Sequence, residues 1–254
     1  MIRKPFINAR LELKTILIYA GLIALMAASL AALPALGMIG EESDARLILA
    51  FSLGIVITCA FSSSLAFLIA LKHRLLLITL GALLAAAGAI IVGLTPLEGL
   101  AKVIFATSLG LWISLILTSV GQVLLISLLI IIVDFYSVFL GPTKKMVESG
   151  GPWLEYLTIS MPVFGESGAS RIGAADIIFF SIFVGCALTY RLRRTTTALA
   201  ITLSFVSTMV IGVRLDIGVP ALPLLSIFFI LSNADLLYRR FLDEPDEHRK
   251  KRDA

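Results

Sequence analysis

Charge is what this chain has least of. Lys, Arg, Asp and Glu make up 15% of its 254 residues, against 59% from the set AVILMFWYC. A soluble domain carries about 25% charged and about 45–50% apolar residues, so that class is excluded. Cysteine and histidine are equally scarce, at two each. Cys59 and Cys186 each stand alone inside an apolar run, which argues against a disulfide framework or a metal site. His73 falls in a short loop and His248 in the tail, so no histidine cluster is available for a metal. The net charge of +4 does not point to nucleic acid, because the basic residues lie at the ends of apolar runs and in the tails, where they set membrane topology. No internal repeat and no soluble domain is evident.

The apolar residues are collected into stretches free of Lys, Arg, Asp and Glu: 15–40, 47–71, 75–97, 103–133, 177–190, 195–213 and 217–234. A membrane-spanning helix needs about 20 mostly apolar residues. The chain is therefore expected to be all-α, a polytopic transmembrane helical bundle. The first stretch, Thr15 to Met38, is too long for a signal-peptide core and reads as a retained helix. Eight spans are predicted, at about 15–38, 47–71, 75–94, 100–117, 121–140, 174–190, 195–213 and 219–238. Thr95-Pro96-Leu97-Glu98-Gly99 reads as the stop after the third. The polar patch Thr118-Ser119-Val120-Gly121-Gln122 divides a stretch too long for one crossing of about 30 Å at about 1.5 Å per residue. The longest polar segment, 141–173, is a loop, and the charged tail 239–254 is a solvated end. Gly88, Gly93 and Ala85–Ala89 are expected to let helices approach closely. Trp112, Trp153 and Tyr190 suit membrane-interface positions.

Orientation follows from the basic residues. With eight spans, one side collects fifteen: Arg3, Lys4, Arg10, Lys14, Lys72, Arg74, Arg191, Arg193, Arg194, Arg239, Arg240, Arg249, Lys250, Lys251 and Arg252. The other side holds six: Arg46, Lys102, Lys144, Lys145, Arg171 and Arg214. The positive-inside rule then puts both termini in the cytoplasm of a multi-pass cell-membrane protein, with loop 141–173 outside.

Seventeen carboxylates are present, and position sorts them. Most lie in loops or tails, and Asp216 and Asp235 sit near helix ends within reach of water. Only Asp134 and Asp176 fall inside spans. A charge at the bilayer centre costs about 2.5–3.5 kcal/mol even on the gentlest scale, so an intramembrane Asp is a functional candidate. Asp134 precedes the end of its helix by roughly 10 Å of rise, and Asp176 follows the start of its helix by roughly 5 Å. Both helices meet the loop 141–173, so the two carboxylates share one side and a similar depth. Facing each other, they would hold one proton between them, because two close carboxylates do not both ionise cheaply. Such a pair can hydrolyse a peptide bond: one carboxylate takes a proton from water while the other donates to the carbonyl oxygen. Position alone equally suits a helix-packing group, an ion ligand or a proton relay in a transporter.

The surrounding residues narrow this. Val133-Asp134-Phe135-Tyr136-Ser137-Val138 resembles the Tyr-Asp segment of presenilins and signal peptide peptidases, and Gly141-Pro142-Thr143-Lys144-Lys145-Met146-Val147-Glu148 is similar to the next segment of presenilins. Gly173-Ala174-Ala175-Asp176 resembles the Gly-x-Gly-Asp helix start, and Pro220-Ala221-Leu222-Pro223 the Pro-Ala-Leu motif of the last helix. The likeness covers about 121–234, with its three motifs in order. Two positions depart from the pattern: Val133 stands in place of Tyr, and Ala175 in place of the second Gly, where a Cβ would narrow the space beside an active group. The span count is eight where the family has nine.

The resemblance implies a prokaryotic presenilin-like intramembrane aspartyl protease of the Gly-x-Gly-Asp type. It implies that Asp134 and Asp176 are catalytic, that Gly173, Ala174, Ala175, Pro220, Ala221, Leu222 and Pro223 position substrate, and that no metal or organic cofactor takes part. The partners implied are transmembrane segments of substrate proteins and the lipid bilayer, with self-association left open. Residues 1–117 would then be an N-terminal group of about four helices and 118–254 the catalytic membrane core. The loop between the Asp helices has about 33 residues, without the long insertion at which presenilins are cut, so the mature chain is expected to stay whole. Val219-Pro220 and Leu222-Pro223 are expected to be extended, since proline lacks an N–H and disfavours a helical residue before it. Non-helical backbone at membrane depth needs protein or a water-filled cavity beside it, and a substrate strand could add to it. Two rivals stay open: a prepilin or preflagellin peptidase, which would lack the Pro-Ala-Leu element, and a proton- or ion-coupled transporter, which would show inverted repeats.

Overall fold

A computed structural model describes residues 21, 24–26, 28, 44–141, 156–161, 171–215 and 218–252, with backbone alone at 44–47 and 243–252. Most of the predicted first span, the motif continuation 142–148, Trp153 and Asp216 lie outside the described residues. The described residues of the first span are helical.

Seven helices and one small hairpin form the rest: α1 Asp44–Ser64, α2 Leu75–Val92, α3 Thr95–Ile116, α4 Val120–Phe139, β1 Thr158–Ser160, β2 Arg171–Gly173, α5 Ala174–Thr189, α6 Arg194–Leu215 and α7 Ala221–Arg252. Six of these, α1 with its continuation to Leu71, α2, α3, α4, α6 and α7, contain segments long and apolar enough to cross a membrane. The seventh, α5, is apolar but has 16 residues. The chain is a helical membrane protein.

Local chemistry sets the boundaries. After α1 the chain tightens into a 3-10 segment, Leu65–Leu71, at the run Ser62-Ser63-Ser64. There the Ser64 hydroxyl donates to the Phe61 carbonyl at 2.6 Å, a bond that competes with the regular ladder. Gly93 ends α2 in the left-handed region at φ 76°, with its N–H directed to the Ala89 and Ile90 carbonyls. Contrary to the sequence reading, Thr95-Pro96 opens α3 instead of only stopping α2. Proline is tolerated in a first turn, and Glu98 faces the positive end of the helix. The expected break near residue 120 is present: Ser119 caps α4 by accepting from the Gln122 N–H at 3.1 Å. The last helix does not stop near 238 but runs on through the charged tail to Arg252.

At the centre lies α5, packed on α3 and also touching α1, α6 and α7. Small residues let α3 and α5 come close. A Cβ on Gly185 would lie 2.7 Å from Ser114 Cβ, and one on Gly110 2.7 Å from Ser181 Cβ. The expected close contact at Gly88 is absent: a Cβ there meets nothing within 4 Å, and Gly93 serves its backbone angle instead. Stacked Phe183 and Phe229, with ring centres 4.3 Å apart, join α5 to α7.

The end of the bundle away from the hairpin is closed by polar bonds. Tyr190 donates from its hydroxyl to the Leu117 carbonyl at 2.7 Å. Buried Asn233 accepts from the Arg193 N–H at 3.1 Å and donates to Thr197 Oγ1 at 2.7 Å. Arg193 grips Asp235 through two bonds of 2.7 and 2.8 Å. Asp235 keeps its reach to water, with its side chain 50% exposed, and is in addition an ion-pair partner of Arg193.

Candidate active site

Helix α4 buries one narrow stripe. Val120, Val123, Ser127 and Ile130 are its buried residues, spaced three, four and three apart as on the seam of two paired helices. The next position on that stripe is Asp134. It is half-buried on a helix that packs against α7, and its Oδ2 accepts the Leu222 N–H at 3.1 Å.

That donor exists because of the prolines. Pro220 is non-helical and α7 begins at Ala221, so the Leu222 N–H is one of the first-turn donors with no partner within its own helix. Pro223 has no N–H to offer. Of the Pro-Ala-Leu segment expected to be extended, only Val219 and Pro220 lie outside the helix. Ala221, Leu222 and Pro223 are the first turn of a helix, with Leu222 and Pro223 buried. A proline near the start of a helix fits its fixed φ, which is why the helix wins here.

Asp176 comes from the opposite direction. The hairpin pairs β1 and β2 antiparallel, with Thr158 opposite Gly173, Ile159 opposite Ile172 and Ser160 opposite Arg171. Ile159 and Ile172 are buried and seat the hairpin in the bundle. Gly173 ends β2 and caps α5, which places Asp176 at the third helical position. The carboxylate folds back over Gly173: a Cβ on that glycine would lie 2.8 Å from Asp176 Oδ2. A side chain there would have to displace the Asp176 carboxylate, whereas the backbone angle itself does not call for glycine. The hairpin is a departure from the reading of 141–173 as a plain loop in an all-α protein, and it supplies the fixed platform on which Asp176 stands.

The two carboxylates lie at the same end of the bundle, about the start of α7, and the charge of Asp134 reaches Asp176. Beside Asp176 opens a cavity of about 310 Å³. Phe51 and Ile55 of α1, Phe205 and Met209 of α6, and Met161 form its apolar wall; Arg171, Thr208 and Asp176 supply polar groups. Gly173 and Ala221 also line it, so two predicted site segments meet at one opening. Ala174 is half-buried. Ala175 is exposed and absent from the cavity wall, so its Cβ does not narrow the site as the sequence suggested. Among the described residues no three His, Cys, Asp or Glu side chains come together to hold a metal ion.

Sequence reasoning missed the pairing of Lys102 with Glu98, placing Glu98 in a loop and Lys102 only among the basic residues that set topology. Both lie in the first turns of α3, where Lys102 is 7% exposed and its Nζ is 2.6 Å from Glu98 Oε1. The i, i+4 spacing of opposite charges was the available signal. Compared with models of known families, with curated proteins and with solved structures, the chain finds no match.

Proposed function

We propose that this chain is an intramembrane aspartyl endopeptidase that hydrolyses peptide bonds within transmembrane segments of other membrane proteins. The observation that carries the reading is that both aspartates meet the start of α7: Asp134 accepts the Leu222 N–H, and Asp176 lines one cavity with the neighbouring Ala221. The presenilin and signal peptide peptidase resemblance of the three motifs supports the same reading. In this reading eight spans cross the cell membrane, both termini are cytoplasmic, and the hairpin and site face outward.

The chemistry needs one ionised and one protonated carboxylate. The ionised one takes a proton from water, and the water oxygen bonds to the scissile carbonyl carbon. The protonated one gives its proton to the carbonyl oxygen. The resulting gem-diol then collapses: the C–N bond breaks, the nitrogen takes a proton and a carboxylic acid forms. Asp134 receives the Leu222 N–H and so suits the ionised role. Asp176, folded over Gly173 beside the apolar cavity, suits the protonated one.

The test is cleavage of a reporter transmembrane peptide by purified protein, with and without an aspartyl-protease transition-state inhibitor. Asp134→Asn and Asp176→Asn should each abolish cleavage, and the double variant should be no worse than either, because the pair acts as a unit. Each variant should stay folded, since an amide keeps the shape and removes a costly intramembrane charge. The activity should fall on both sides of an optimum pH that belongs to the pair. Full proteolysis by the Asp176→Asn protein would overturn the proposal in favour of a proton-coupled transporter.

A further inference from the structure

Lys102 is the charged side chain most deeply buried among the described residues. Its ion pair with Glu98 explains its charge but not its placement, because a pair within one helix would serve as well at the surface. Lys102 makes a second bond out of its helix: Nζ donates to the Thr158 carbonyl at 3.1 Å. Thr158 stands opposite Gly173 in the hairpin, and Gly173 both caps α5 and touches the Asp176 carboxylate. A continuous line therefore runs from Glu98 through Lys102 and the paired strands to Asp176.

We propose that Lys102 is a positioning residue: it tethers β1 to α3 and thereby fixes the height and direction of Asp176. The hairpin strands have three residues each, and a two-stranded ribbon of that length is not stable by itself. Ile159 and Ile172 hold it by burial, which has no direction. The Lys102 ammonium supplies a directed, charge-assisted bond, and Glu98, 2.6 Å from it, keeps that ammonium aimed. This role rests on the proposed proteolysis for its functional part, while the tether itself can be read without it.

The experiment uses full-length protein in lipid vesicles, with hydrogen exchange across 158–160 and 171–173 measured beside the kinetics of reporter-peptide cleavage. Lys102→Met should remove protection from the hairpin amides and lower kcat by up to about 100-fold, the scale of a misplacement near 1 Å, with KM little changed. Lys102→Arg should restore both, since a guanidinium donates to the same carbonyl. Because Lys102→Met leaves Glu98 unpaired, the double variant Glu98→Gln with Lys102→Met removes both charges; it should fold and still show the loose hairpin and low kcat. Unchanged protection in the double variant would overturn the tether. Lost protection with unchanged kcat would overturn its link to Asp176. If the wild-type protein cleaves no peptide while Lys102→Met alone loosens the hairpin, the tether stands and the protease reading falls.

Discussion

The two helices that carry the aspartates are built on opposite principles. Helix α5 is buried all the way round: every residue from Phe180 to Ala187 is buried, and the helix touches four others. Helix α4 buries a single stripe, and Leu125, Leu128, Leu129 and Ile132 face outward. A helix apolar on every side belongs in the interior, or faces lipid; the two look alike in composition. The difference shows that the paired site joins a fixed half to a peripheral half. Asp176 is located by the whole core, whereas Asp134 is located by one seam and one hydrogen bond to α7.

This contrast can be broken by mutation. Phe183→Ala on α5 removes a fully buried ring stacked on Phe229 and should cost about 3–5 kcal/mol in reversible unfolding from mixed micelles. Gly185→Ala puts a methyl against Ser114 and should cost about 1–3 kcal/mol by overpacking. Adding Ser114→Gly should recover part of that loss, because the two positions touch and are coupled. Leu129→Ala on the outer face of α4, where the side chain is 55% exposed, should shift stability by no more than about 0.5 kcal/mol. A loss at Leu129 equal to that at Phe183 would show that α4 is as enclosed as α5 and would erase the distinction.

Six of the eight predicted spans match helices long and apolar enough to cross a membrane, legible because charge-free runs of this length have one stable home. The seam on α4 was not read, although Val120, Val123, Ser127, Ile130 and Asp134 keep a three-four spacing that carries it. Nor was the hairpin, because strands of three residues such as Thr158–Ser160 are too short to show alternation. The close approach of α3 and α5 was hidden for another reason. Gly110 with Ser114, and Ser181 with Gly185, are small residues one turn apart on helices far separated in sequence, while the richer Gly and Ala content of α2 drew the prediction to Gly88. Lys102 was misread because a lone charge near the start of an apolar run looks like a helix boundary, and its partner in β1 lies 56 residues away. The Pro-rich start of α7 followed the ordinary preference of proline for a first turn, which outweighed the expectation of extended chain.

The brevity of α5 has a consequence for what meets its end. Its 16 residues rise about 24 Å, roughly 6 Å less than the hydrocarbon thickness of an average bilayer. Because α5 is enclosed by α1, α3, α6 and α7, protein and not lipid makes up the difference, and at the Gly173 end the hairpin continues the chain. Non-helical backbone at that depth needs protein or a water-filled cavity beside it, and the cavity lined by Gly173, Asp176 and Ala221 is the space that meets it.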